Sequence, residues 1–239
     1  MTDSKEWLED LRNARFSDGV RTDKRDQRKA IDFLAKAKSD LKSCKILYEH
    51  GQYSDSVFYL QQASEKACKS FLLFFGLLKG DDLKEVGHSS DRINRRAIKR
   101  GDAYLRIISY FDPQPKEDKE NGEIAAASKD SIMKDIAKRE EYAKTLLTEI
   151  EASLRQLRQS GHNAVDAKTV EQIAALKGKL GPIIPIFSIV KFTSPHAGSA
   201  RYPGKPIEYN LRLGIVYATP ELIMRLERAI QAIEATFSN

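Results

Sequence analysis

Two stretches of helical apolar spacing stand on either side of a turn too short to let them part. From Asp23, Ile31, Leu34, Ala37, Leu41, Cys44 and Leu47 step by three or four, which gathers them on one helix face. His50-Gly51 closes that run, with glycine suited to the C-terminal cap. Ser54 or Asp55 then offers a cap for a second helix running to about Leu78. Its inward positions are Val57, Leu60, Ala63/Ser64, Ala67, Phe71 and Phe74/Phe75. A connection of a few residues leaves these helices only one arrangement, an antiparallel hairpin. Ala63 and Ala67 give its backbones room to approach closely.

Further periodic segments extend the same pattern. Residues 4–15 suit a short amphipathic helix, and residues 1–22 form an N-terminal helical extension. A third helix is expected over roughly Ser90–Phe111, then a loop, DPQPKEDKENGE, with two prolines and an Asn-Gly pair. Residues 128–159 repeat the apolar step through Ile132, Ile136, Tyr142/Ala143, Leu146/Leu147, Ile150, Leu154 and Leu157. A helix around Thr169–Lys179 follows, and then GPIIPIF, an apolar kinked segment with Pro182 at a first-turn position. Thr193–Tyr209 reads as a Gly- and Pro-rich loop. Thr219 and Pro220 read as the cap and first residue of a last helix, Pro220–Phe237. With no strong β-pattern, the chain is expected to be an all-α, up-and-down antiparallel helical bundle of four to five core helices plus extra helices. Residues 23–239 are expected to form a single domain.

The net charge of +6 favours an acidic partner, with nucleic acid first among the candidates. Cys44 and Cys68 lie far apart inside helical patterns, which suits two buried, reduced thiols, and no Cys/His spacing points to zinc. The charged N-terminus lacks the apolar core of a signal peptide, and Leu180–Val190, the longest uncharged run, is too short to span a bilayer. A cytoplasmic protein without membrane contact, metal or cofactor is the expectation.

Particular residues add a resemblance. Gly51-Gln52-Tyr53, then Gln61-Gln62-Ala63, Glu65-Lys66 and Lys69, and much later Arg201-Tyr202-Pro203 before a closing amphipathic helix, resemble the HEPN domain family (higher eukaryotes and prokaryotes nucleotide-binding). The likeness covers about residues 27–112 and 165–236, with an insertion around residues 112–165. It implies a helical bundle, commonly a homodimer, that binds nucleotide or RNA. In many members it stands beside a nucleotidyltransferase in a toxin–antitoxin pair. Ribonuclease members carry an arginine followed after four to six residues by a histidine.

Such a nuclease needs a proton-transfer group near the 2′-hydroxyl and a cation at the phosphate, and His and Arg fill those roles. Of the four histidines, His50, His88 and His196 have no arginine at that spacing; Arg155 and His162 do. That pair lies where the likeness lapses, so no catalytic pair is favoured, and an enzyme, if present, would be a ribonuclease.

Two polar clusters remain as candidate sites. Gln62, Glu65, Lys66 and Lys69 share a helix surface, with His88, Arg201 and Tyr202 as candidate ligand-binding companions. They make either a structural network or a binding surface, because polar groups on a central helix need partners. Arg92, Arg95, Arg96, Lys99 and Arg100 form the densest basic stretch, a candidate nucleic-acid ridge or a solvated face. The reading is therefore a HEPN-type module binding nucleotide or RNA, non-catalytic or regulatory, within a toxin–antitoxin pair. A metal-independent RNase toxin and a pure protein-interaction module are its alternatives.

Overall fold

The computed structural model describes residues 23–74, 76, 78–83, 126–159, 184–201 and 208–237, and among these every regular element is an α-helix. The helices are α1 (Lys24–Glu49), α2 (Tyr53–Phe74), α3 (Lys129–Gln159), α4 (Ile184–Arg201) and α5 (Gly214–Phe237). Helix α2 packs on α1, α4 and α5, whereas α5 touches each of the other four. The expected helices over 4–15, Ser90–Phe111 and Thr169–Lys179 lie outside the described residues.

Asp23 opens α1 by accepting the Arg25 backbone N–H at 3.0 Å. At the other end Gly51 takes φ 73°, with its N–H bonded to Tyr48 O at 3.0 Å and the Gln52 N–H to Leu47 O at 2.9 Å. That pair of bonds is the glycine-dependent helix stop expected from His50-Gly51. His50 adds a ring N–H to Ile46 O at 2.7 Å. Helix α2 starts at Tyr53, so Ser54 and Asp55 sit in its first turn instead of capping it, and the Ser56 N–H bonds to Gln52 O.

The hairpin seam is built of small residues. Ala30, Ala37 and Cys44 recur every seven positions on α1, as Ser56, Ala63 and Ser70 do on α2, and all six are fully buried. Ser70 Oγ donates to Ala30 O at 2.7 Å, and Ser56 Oγ donates to Cys44 O at 3.0 Å. Those two bonds fix the antiparallel register and set Ala37 opposite Ala63 between them. Ala30, not Ile31, carries the inward position at the start of α1, since Ile31 is 53% exposed.

Two prolines overturn the expected boundaries. Thr193–Arg201 is helix, with Pro195 inside α4, and the last helix begins at Gly214, with Pro220 inside it. In each helix a hydroxyl before the proline bonds the carbonyl four residues back. Thr193 Oγ1 reaches Ile189 O at 2.8 Å, Ser194 Oγ reaches Val190 O at 2.7 Å, and Thr219 Oγ1 reaches Ile215 O at 2.8 Å. Thr219 therefore caps nothing; it is buried in mid-helix.

The start of α5 presses on the residues before α3. A Cβ on Gly214 would stand 2.0 Å from Ala127 O and 2.8 Å from Ser128 Cα. Ile132 and Ile136 carry α3 into the core, while Tyr142 is half exposed. Ion pairs zip α5 along α1, Lys38 to Glu234 at 2.5 Å and Lys45 to Glu227 at 2.8 Å. Phe74 stacks on Phe237 with centroids 3.8 Å apart. Both cysteines are buried thiols. No helix among the described residues is long and apolar enough to cross a membrane.

Candidate functional site

The polar residues in the middle of α2 divide into two stripes. Gln61, Glu65 and Lys69, each four apart, are buried at 2%, 3% and 6% exposure. Gln62 and Lys66 lie beside them, half-buried, at the edge facing α1. The expectation that Gln62 and Lys69 share one surface is thus refined: the helix turns them onto adjacent strips.

A continuous run of contacts joins the stripes. Lys69 Nζ donates to Glu65 Oε1 at 2.5 Å, and Gln61 Nε2 donates to Glu65 Oε2 at 3.0 Å. Gln62 Nε2 donates to Gln61 Oε1 at 2.7 Å. Lys66 reaches Gln62 Oε1 at 3.4 Å and closes the run with an ion pair to Asp40 of α1. The run satisfies the requirement that buried charges be paired and hydrogen-bonded. It also ties the orientation of the half-buried Lys66 head to the buried Glu65–Lys69 pair through two amides.

The candidate nuclease arginine stands elsewhere. Arg155 lies near the far end of α3 with its side chain 63% exposed, bonded to Glu151 Oε1 at 2.6 Å one turn earlier. His162, like His88, Tyr202 and the basic residues Arg92, Arg95, Arg96, Lys99 and Arg100, lies outside the described residues. Arg201 is the last residue of α4, and its side chain lies outside them too.

His196, set aside as a nuclease candidate for want of an arginine at the right spacing, is a core residue. It is fully buried in α4, with Nδ1 3.2 Å from the Tyr209 hydroxyl, and its Nε2 meets no hydrogen-bond partner among the described residues. Burial holds its pKa down to about 4 and pushes the Tyr209 phenol up to about 12, so both are neutral near pH 7. A signal for it existed: Ile186, Ile189, Thr193 and His196 continue one helical stripe, all fully buried. Burial likewise raises the Cys44 thiol to about 11, which leaves it a poor nucleophile.

The HEPN domain family model matches residues 30–133. No curated protein and no solved structure matches the chain.

Proposed function

We propose that this chain, whose residues 30–133 form a HEPN domain, is a non-catalytic or regulatory helical module that binds nucleotide or RNA. The observation that carries the reading is the internal pairing of the signature side chains: Lys69 with Glu65, Lys66 with Asp40, and the amides between them. Groups so paired hold a surface in place and are not poised to move a proton. Arg155, tied to Glu151 and open to water, supports no nuclease role. In this reading Gln62 and Lys66 face the ligand, with the Glu65–Lys69 pair behind them as positioning residues. The basic stretch from Arg92 to Arg100 supplies phosphate contacts, and His88, Arg201 and Tyr202 complete the binding face. The chain acts as a homodimer beside a nucleotidyltransferase in a toxin–antitoxin pair.

The test is binding of short single-stranded RNAs at two salt concentrations, with light scattering for the oligomer. Affinity should fall steeply with salt, and charge reversal at Arg92 and Arg96 should weaken it at least tenfold and flatten the salt slope. Salt-independent binding, or none, would overturn the reading. RNA cleavage that disappears in His162→Ala would replace it with a ribonuclease.

A further inference from the structure

Away from the polar cluster of α2, the helices α3, α4 and α5 frame a cavity of about 310 Å³. Its apolar surface comes from Ile184 and Pro185, which open α4, and from Ala229 and Ala232 of α5. The two alanines stand less than one helical turn apart, so this stretch of α5 sends no long apolar side chain in to fill the space. At about 30 Å³ for each non-hydrogen atom, the share of one molecule in liquid water, the cavity holds roughly ten such atoms. A nucleotide has about twice that number or more and does not fit inside.

The charges around it divide into used and unused. Arg225 is held by Glu140 at 2.7 Å and by Glu221 at 3.6 Å, so it forms a fixed, neutralised side of the cavity. Lys144 of α3 and Arg228 of α5 line the same space from different helices, and neither has a carboxylate partner among the described residues. Two such cations over an apolar floor suit an anionic head on an apolar body. Glu140 decides which head. Its carboxylate lines the cavity too and repels excess negative charge, and a phosphate monoester carries about −1.5 to −2 at pH 7. A carboxylate carries a single charge, and its two oxygens match the planar fork of Arg228 with Lys144 as a point charge beside it.

We infer that the α3–α4–α5 cavity is a binding site for an amphipathic monocarboxylate of about eight carbons, with Arg228 and Lys144 holding the carboxylate and Ile184, Pro185, Ala229 and Ala232 receiving the chain. The site is separate from the proposed RNA surface and does not rest on it.

Calorimetric titration of the full chain with octanoate, octan-1-ol and butyrate tests the inference. Octanoate should bind saturably and at least about tenfold more tightly than octan-1-ol, which lacks the charge, or butyrate, which lacks half the chain. Arg228→Gln and Lys144→Gln should each weaken octanoate at least about fivefold. Ala232→Leu, which fills the floor and leaves every charge, should weaken it at least about tenfold, an effect that simple pairing with surface cations would not show. Circular dichroism checks folding; should Ala232→Leu unfold the chain, the glutamine variants at the exposed Lys144 and Arg228 decide alone. AMP, whatever it does at the proposed RNA surface, should not displace octanoate, and charge reversal at Arg92 and Arg96 should leave octanoate binding unchanged. No octanoate binding, octan-1-ol or butyrate binding as tightly, octanoate binding unchanged in the cavity variants or lost in the Arg92 and Arg96 reversal, or displacement by AMP would each overturn the inference.

Discussion

A lysine and a glutamate four residues apart on an exposed helix are worth a few tenths of a kcal/mol. Glu65 and Lys69 are nearly withdrawn from water, and that changes the arithmetic. Removing one partner takes the buried ion pair from the other, so Lys69→Met should lower stability by about 3 kcal/mol in urea unfolding. A double-mutant cycle with Glu65→Gln should show strong coupling, the pair together costing well below the sum of its single changes. His196 gives a prediction in pH. An unfolded histidine takes its proton near 6.5 and the buried one only near 4, so between those values the unfolded chain binds more protons. Stability is therefore fully present above pH 6.5 and falls by up to ~3 kcal/mol as pH drops to 4. Denaturant midpoints across that window should show the slope, and His196→Gln should shrink it.

Helix α1 and the hairpin were legible because nothing local opposes the apolar step there; the C-terminal end of α1 carries its expected glycine cap, and Asp23 caps the other end. Helices α4 and α5 were misread at Pro195 and Pro220 because proline lacks the N–H a helix needs. The cost is offset by features no residue-by-residue reading weighs: packing of each helix's inward face on its neighbours, and hydroxyls that turn back to the preceding carbonyls. The same misreading hid His196, which a loop assignment for Thr193–Tyr209 removed from the core. The α2 cluster was visible as a group, but its division into stripes depends on where α1 lies. Close packing supplies two predictions at this scale. Gly214→Ala drives a methyl against the Ala127–Ser128 backbone and should cost about 1–3 kcal/mol by thermal unfolding. Ala63→Leu, which forces the hairpin seam apart, should cost as much or more, whereas Met224→Ala on the open side of α5 should be nearly neutral.

The matched segment, residues 30–133, contains most of α1, all of α2 and the first residues of α3, but neither α4 nor α5. Those two helices cover α2 from outside it. A chain cut after Met133 should accordingly lose cooperative unfolding and resistance to protease, with circular dichroism reporting depleted helix. That expectation belongs to the whole bundle, since no single contact accounts for it. The zipper between α1 and α5 has a temporal side as well. Lys38 and its partner Glu234 are 196 residues apart in the chain. At about 5–20 residues per second, the ribosome needs roughly 10–40 s to bridge that separation. Through that interval the flank of the first hairpin awaiting α5 is open to solvent, so the nascent protein passes through a stage in which that flank is accessible to chaperones.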